Sequence, residues 1–134
     1  RHGIRMGTSE LYRVVEAFDE VADALVIDLE YLGKESYMAL FVVPQPPARV
    51  DDALKRRLLD AIRTQLSSRH VPNDVFAIEA VPRTISGKKL EVPVKKILLG
   101  MPAEKACNKS AMANPDSIDW FVSFAAQRAS LPTA

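Results

Sequence analysis

Val81-Pro82-Arg83-Thr84-Ile85-Ser86-Gly87-Lys88-Lys89 is the stretch from which the fold of this chain is best read. Val81-Pro82 closes a strand, because proline has no N–H to give to a central ladder. Ser86-Gly87 marks a turn, since glycine can take a positive φ that a residue with a Cβ resists. Lys88 then stands at the tip, a compact cation on a long flexible stem. Such a group can reach an anion that something else holds. The plainer alternative is a basic surface turn with no task.

Downstream of the turn, Val92 to Leu99 reads as a short helix with Pro93 near its start, where the missing N–H is harmless. Gly100 stands where a C′ glycine stops such a helix. Upstream, Asp74 to Ala80 alternates as a strand, and before it Asp51 or Asp52 caps a helix running towards Ser68. The buried stripe of that helix is Leu54, Leu58, Ile62 and Leu66, while Lys55, Arg56, Arg57 and Arg63 lie off it as solvated cations. Ala24 to Tyr31 and Ser36 to Val43 are rich in β-branched and aromatic residues, and Leu32-Gly33-Lys34-Glu35 between them predicts an antiparallel hairpin. Pro44, Pro46 and Pro47 end the second strand in a stiff connection. Nearer the amino end, Thr8 is placed to cap a helix whose apolar face is Leu11, Val14, Val15 and Phe18. The order helix, hairpin, helix, strand, helix predicts an α+β fold, a small and mainly antiparallel sheet packed with helices. Residues 1–100 form this domain in the sequence reading. Residues 101–134 are read as a linker to about residue 113 and a C-terminal helical extension. Asn114-Pro115-Asp116 starts the helix, whose stripe is Ile118, Phe121, Val122 and Ala125 with Trp120 and Phe124 on its flank. A face so apolar must dock on its own domain or on protein outside this chain.

With 134 residues, the chain is of single-domain size, and 48% hydrophobic with 26% charged residues describes an ordinary globular composition. The net charge of +1 gives no overall argument for nucleic acid or membrane as partner. Cys107, the single cysteine, excludes an internal disulfide and fits a reducing compartment, so a cytoplasmic location is expected. No apolar run approaches a membrane span, and the amino end has no signal-peptide core. The chain opens without methionine and inside a motif, which predicts that it is a piece of a longer protein.

That opening motif is Gly3-Ile4-Arg5-Met6-Gly7-Thr8-Ser9-Glu10-Leu11. Taken with Pro82-Arg83-Thr84-Ile85-Ser86-Gly87-Lys88, it resembles the carboxy-terminal domain of the adenylate-forming enzymes, the acyl-CoA synthetases and their relatives. In that family Gly-x-Arg-x-Gly leads into a helix, and Pro-x-Thr-x-Ser-Gly-Lys follows further along. The resemblance spans residues 1–100. The wording from Ser86 to Lys96, with the extra tail, narrows it to members that activate acetoacetate.

The resemblance implies an AMP-forming acid–CoA ligase that uses ATP, with Mg2+, and CoA as substrates. A carboxylate attacks the α-phosphorus of ATP to give an acyl-adenylate and pyrophosphate, and the thiol of CoA then displaces AMP. By resemblance Lys88 is the catalytic cation of the first half-reaction, where both reactants are anionic and a bridging positive charge stabilises the transition state. Arg5 matches the arginine near the nucleotide phosphates, a task suited to its planar fork of donors. Gly3 matches the glycine along the pantetheine tunnel of CoA, and Arg63 falls where some members set a cation against CoA phosphate. Alternatives stay open: a turn glycine for Gly3, a surface ion pair for Arg5, a solvated helix face for Arg63. No metal ligands are assigned, and His2, where relatives often have a small polar residue, gets no role. Lys89 beside Lys88 raises a register ambiguity that the Ser-Gly-Lys spacing resolves towards Lys88.

The resemblance further implies that the domain swings after adenylation, that its partner is an N-terminal adenylation domain of the same chain, and that the isolated piece holds no cofactor and catalyses nothing. Lys88 is also the type of lysine that a protein lysine acetyltransferase modifies and a deacetylase restores. A competing expectation is a stand-alone α+β module that binds nucleic acid or protein through Lys88, Lys89, Lys95 and Lys96. Against it stand the small net charge and the lack of aromatics interleaved with those lysines.

Overall fold

The computed structural model describes residues 8–29, 37–66 and 71–130. Its elements are α1 (Thr8–Glu16), β1 (Val21–Leu29), β2 (Tyr37–Pro44), α2 (Asp52–Gln65), β3 (Asp74–Ala77), α3 (Glu91–Leu98), α4 (Ala103–Ala106) and α5 (Ser117–Ser130), with a 3₁₀ turn at Lys109–Ala111. The α+β class is as the residues predict. By contact density the chain divides into two units, Arg1–Glu79 and Ala80–Ala134.

In the first unit the strand order is β1-β2-β3. β1 and β2 pair antiparallel, with Leu25 opposite Phe41 and Ile27 opposite Ala39, which is the predicted hairpin. Its expected loop, Leu32 to Glu35, lies outside the described residues. β3 joins β2 in parallel, Val75 opposite Leu40, so the sheet is mixed. A parallel neighbour needs a crossover, and α2 is the helix that fills it. One face of the sheet carries Ala24, Val26, Met38, Leu40, Val42 and Val75, packed with Leu11, Val14 and Val15 of α1 and Leu54, Leu58 and Ile62 of α2. The two helical stripes are therefore core, as their spacing predicts. The alternate residues Leu25, Ile27, Ala39 and Phe41 are buried as well, and Phe41 stacks on Phe76 with ring centroids 5.6 Å apart. Asp51 caps α2 by accepting from the Leu54 N–H at 2.8 Å. Arg57, expected among solvated cations, pairs with Glu20 and lies over the Phe18 ring at 5.4 Å. That hydrogen bond holds the Glu20 carboxyl below the usual carboxylate range.

In the second unit α3 ends as Gly100 predicts. Gly100, at φ +108, donates to the Ile97 carbonyl at 3.0 Å and Met101 donates to that of Lys96 at 2.9 Å. This pair of bonds is the Schellman motif, which satisfies carbonyls left open at a helix end. α5 packs against α3, so the apolar extension docks within its own unit. Ile118 and Phe121 are fully buried, while Val122, predicted for the same stripe, is 41% exposed. Trp120 stacks on Phe124 at 5.2 Å and meets Phe121 edge-on at 5.0 Å.

The stretch before α5, expected to be a linker, has structure of its own. It contains α4 and the 3₁₀ turn, which Asn108 caps by accepting from the Ser110 N–H and hydroxyl. Lys109 pairs with Asp119 of α5 at 3.1 Å. Among the described residues no helix is long and apolar enough to cross a membrane.

Candidate functional site: the lysine hairpin

Val81 to Leu90 fold back on themselves as a small hairpin. Leu90 donates to the Pro82 carbonyl at 3.0 Å, Arg83 and Lys89 form an antiparallel bridge, and Thr84 donates to the Lys88 carbonyl at 2.9 Å. Ile85, Ser86 and Gly87 make the loop, closed by the Gly87 N–H on the Thr84 carbonyl at 2.8 Å. Gly87 sits at φ +93. A Cβ there meets nothing within 4 Å, so the demand for glycine comes from the backbone angle and not from crowding.

Each polar residue of the motif has a local task. The Thr84 hydroxyl accepts from the Lys88 N–H at 3.0 Å and lies 2.9 Å from the Ser86 hydroxyl. Arg83 reaches across to donate to the Gly87 carbonyl at 2.7 Å. Pro82 supplies a carbonyl without an N–H that would need a partner. The result is a rigid base under a free arm. Lys88 is exposed, and among the described residues nothing bonds or pairs with its ammonium; Lys89 is half-buried. A cation so carried can extend towards an anion without first breaking a bond of its own.

A further strand-like segment lies along the outer side of this hairpin. Ile85 donates to the Ala111 carbonyl at 3.0 Å, Thr84 bridges Met112 antiparallel, and Ala113 donates to the Arg83 carbonyl at 3.0 Å. The Asn114 side chain then accepts from the Arg83 N–H at 3.0 Å and donates to the Val81 carbonyl at 2.8 Å. Neither Arg83 nor Asn114 is singled out in the sequence reading. Asn114 belongs to a helix-start signal, and its amide works elsewhere.

Of the other predicted site residues, Gly3 and Arg5 lie outside the described residues. Arg63 is exposed on α2 in the first unit and pairs with Asp60 at 2.9 Å. Lys88 belongs to the second unit. Among the described residues no three of the His, Cys, Asp and Glu side chains gather as a metal set. Burial pushes the Cys107 thiol up, against a smaller opposing effect of Lys109.

Residues 13–88 match the family described as AMP-binding enzyme, C-terminal domain. The chain belongs to that family. It is 38% identical over 125 residues to an acetoacetyl-CoA synthetase of Caenorhabditis elegans, covering 92% of this chain and 17% of that protein. An acetoacetyl-coenzyme A synthetase of Rhizobium meliloti is 40% identical over 119 residues, which is 89% of this chain and 18% of the relative. Among solved structures, the acetoacetyl-CoA synthetase from Streptomyces lividans superposes with a TM-score of 0.87 at 40% identity. That likeness covers 95% of this chain and 19% of the other. The chain thus spans less than a fifth of the relatives it matches. A Brucella canis acyl-CoA synthetase, at 23% identity and a TM-score of 0.60, shares the fold.

Proposed function

We propose that this chain is the carboxy-terminal part of an acid–CoA ligase that converts ATP, a short-chain carboxylate and CoA into acyl-CoA, AMP and pyrophosphate, with acetoacetate as the carboxylate. The observation that carries this reading is a likeness to acetoacetyl-CoA synthetases that runs through nearly the whole chain, lysine hairpin and extension included.

In the first half-reaction a carboxylate oxygen forms a bond to the α-phosphorus as the bond to pyrophosphate breaks. Lys88 bridges the incoming oxygen and the α-phosphate, and its charge offsets the negative charge that the transition state gathers. Residues 1–100 act as a mobile domain and residues 101–134 as an extension carried with it. After adenylation the domain rotates, Lys88 withdraws, and Gly3 and Arg63 serve the CoA site; Arg5 serves the nucleotide phosphates. The partner is an N-terminal adenylation domain of the same protein, which supplies the MgATP and acid pockets, so the isolated chain is inactive. Acetylation of Lys88 by a protein lysine acetyltransferase removes its charge and a deacetylase restores it. The protein works in the cytoplasm.

The test is an assay of the full-length protein with ATP, CoA and a panel of short acids. Acid-dependent AMP release, fastest with acetoacetate, is expected. Release that is fastest with another acid would correct the substrate, and none with any acid would overturn the reading.

A further inference from the structure

We propose that Asn114 is a positioning residue for Lys88, and that the segment 111–114 sets where the lysine arm starts. This inference rests on the adenylation role proposed for Lys88.

The outgoing arm of the hairpin, from Val81 to Ile85, presents backbone groups to both sides. On the inner side the Pro82 carbonyl, the Thr84 N–H and the Thr84 carbonyl are taken within the hairpin itself. On the outer side the Val81 carbonyl, the Arg83 N–H, the Arg83 carbonyl and the Ile85 N–H all bond to residues 111–114. A short hairpin with one open edge is marginal in water. Here the edge is closed by the extension, which lies beyond residues 13–88 of the family match.

Asn114 completes that edge with its side chain. The next residue is Pro115, which has no N–H to offer. The Asn114 carbonyl already accepts from the Ser117 N–H at 3.0 Å and the Ser117 hydroxyl at 2.6 Å as the chain turns into α5. Its side-chain amide stands in for a peptide group, one acceptor and one donor meeting Arg83 and Val81. Arg83 is the residue whose guanidinium holds the Gly87 carbonyl and whose backbone bridges Lys89. Two rigid steps therefore lead from Asn114 to the backbone of Lys88: the arm it pins, and the loop that arm closes.

The experiment uses the full-length protein with Asn114→Ala, Asn114→Asp, Lys88→Ala and the Lys88→Ala/Asn114→Ala pair. Both half-reactions are followed, pyrophosphate release with acetoacetate and thioester formation from supplied acyl-adenylate. Misplacing a reacting group by a fraction of an ångström has large kinetic cost, so Asn114→Ala should lower kcat for adenylation about 10-fold, with KM for ATP and thioester formation within about twofold. Asn114→Asp keeps the acceptor for Arg83 and loses the donor to Val81, so it should recover part of the rate. It also carries the test if the alanine variant does not fold. The double variant should be no slower than Lys88→Ala, because a residue that acts through Lys88 has nothing left to position. Equal slowing of both half-reactions, or a double variant well below Lys88→Ala, overturns the inference. So does normal adenylation by Asn114→Ala and Asn114→Asp while Lys88→Ala is slow, which leaves the proposed function standing. Normal adenylation by Lys88→Ala removes both.

Discussion

Lys88→Ala in the full-length protein should slow acid-dependent pyrophosphate release by about 10²–10³-fold, the range for losing one preorganised donor to developing charge. The physical basis is the arrangement of the hairpin. Lys88 is exposed, its backbone is held by Thr84 through two hydrogen bonds, and its ammonium is uncommitted among the described residues. Removing the arm leaves that base intact, so folding stability should change by no more than about 0.5 kcal/mol, as for ordinary surface substitutions. Thioester formation from supplied acyl-adenylate should stay within about threefold, since an interaction made only in the first transition state is absent from the second step. Comparing the two rates in one preparation separates this loss from general damage. Equal rates of pyrophosphate release in variant and parent would mean that the charge is supplied elsewhere.

The second large effect concerns stability. Phe121 has no exposed surface, and its helix α5 packs against α3. Phe121→Ala removes a whole ring from a closed core and leaves a cavity, which costs about 3–5 kcal/mol. It also takes away the edge contact with Trp120. Set against a total stability of about 5–15 kcal/mol for a typical protein, this is a severe loss. Urea unfolding of the 134-residue chain, followed by Trp120 fluorescence, reads it as a clear drop in midpoint. An unchanged midpoint would mean that α5 does not contribute its packing to the folded state.

Most of the architecture is legible from periodicity. Leu11, Val14 and Val15, and Leu54, Leu58 and Ile62, declare two helices and their inward faces, and both sets are core. Gly100 declares the end of α3, because the Schellman bonds need the angle that glycine gives. The parallel placement of β3 is not legible, since alternation in Asp74–Ala77 carries no direction. Nor is the packing of Val122, whose four-residue spacing from Ile118 puts it near the stripe but outside the buried arc.

The candidate site divides in the same way. The Ser-Gly-Lys order gives away a turn with a cation directly after its loop, because glycine and lysine state their conformational and electrostatic roles locally. What braces the turn is distant in sequence. Asn114 is read as part of a helix start, since Asn before Pro-Asp is a strong local signal, and nothing local tells that its amide spans to Val81 and Arg83. Residues 101–113, short of apolar residues at regular spacing, read as linker although their backbone completes the hairpin's edge. Side chains that substitute for backbone partners leave no periodic trace.

The most direct test of the account is to install acetyl-lysine at position 88 alone in the full-length protein, which removes the charge and keeps the stem. Pyrophosphate release should then collapse while thioester formation from supplied acyl-adenylate continues, and enzymatic deacetylation should restore the first activity. Undiminished pyrophosphate release by the acetylated protein would contradict the account, because no cation at position 88 would be needed.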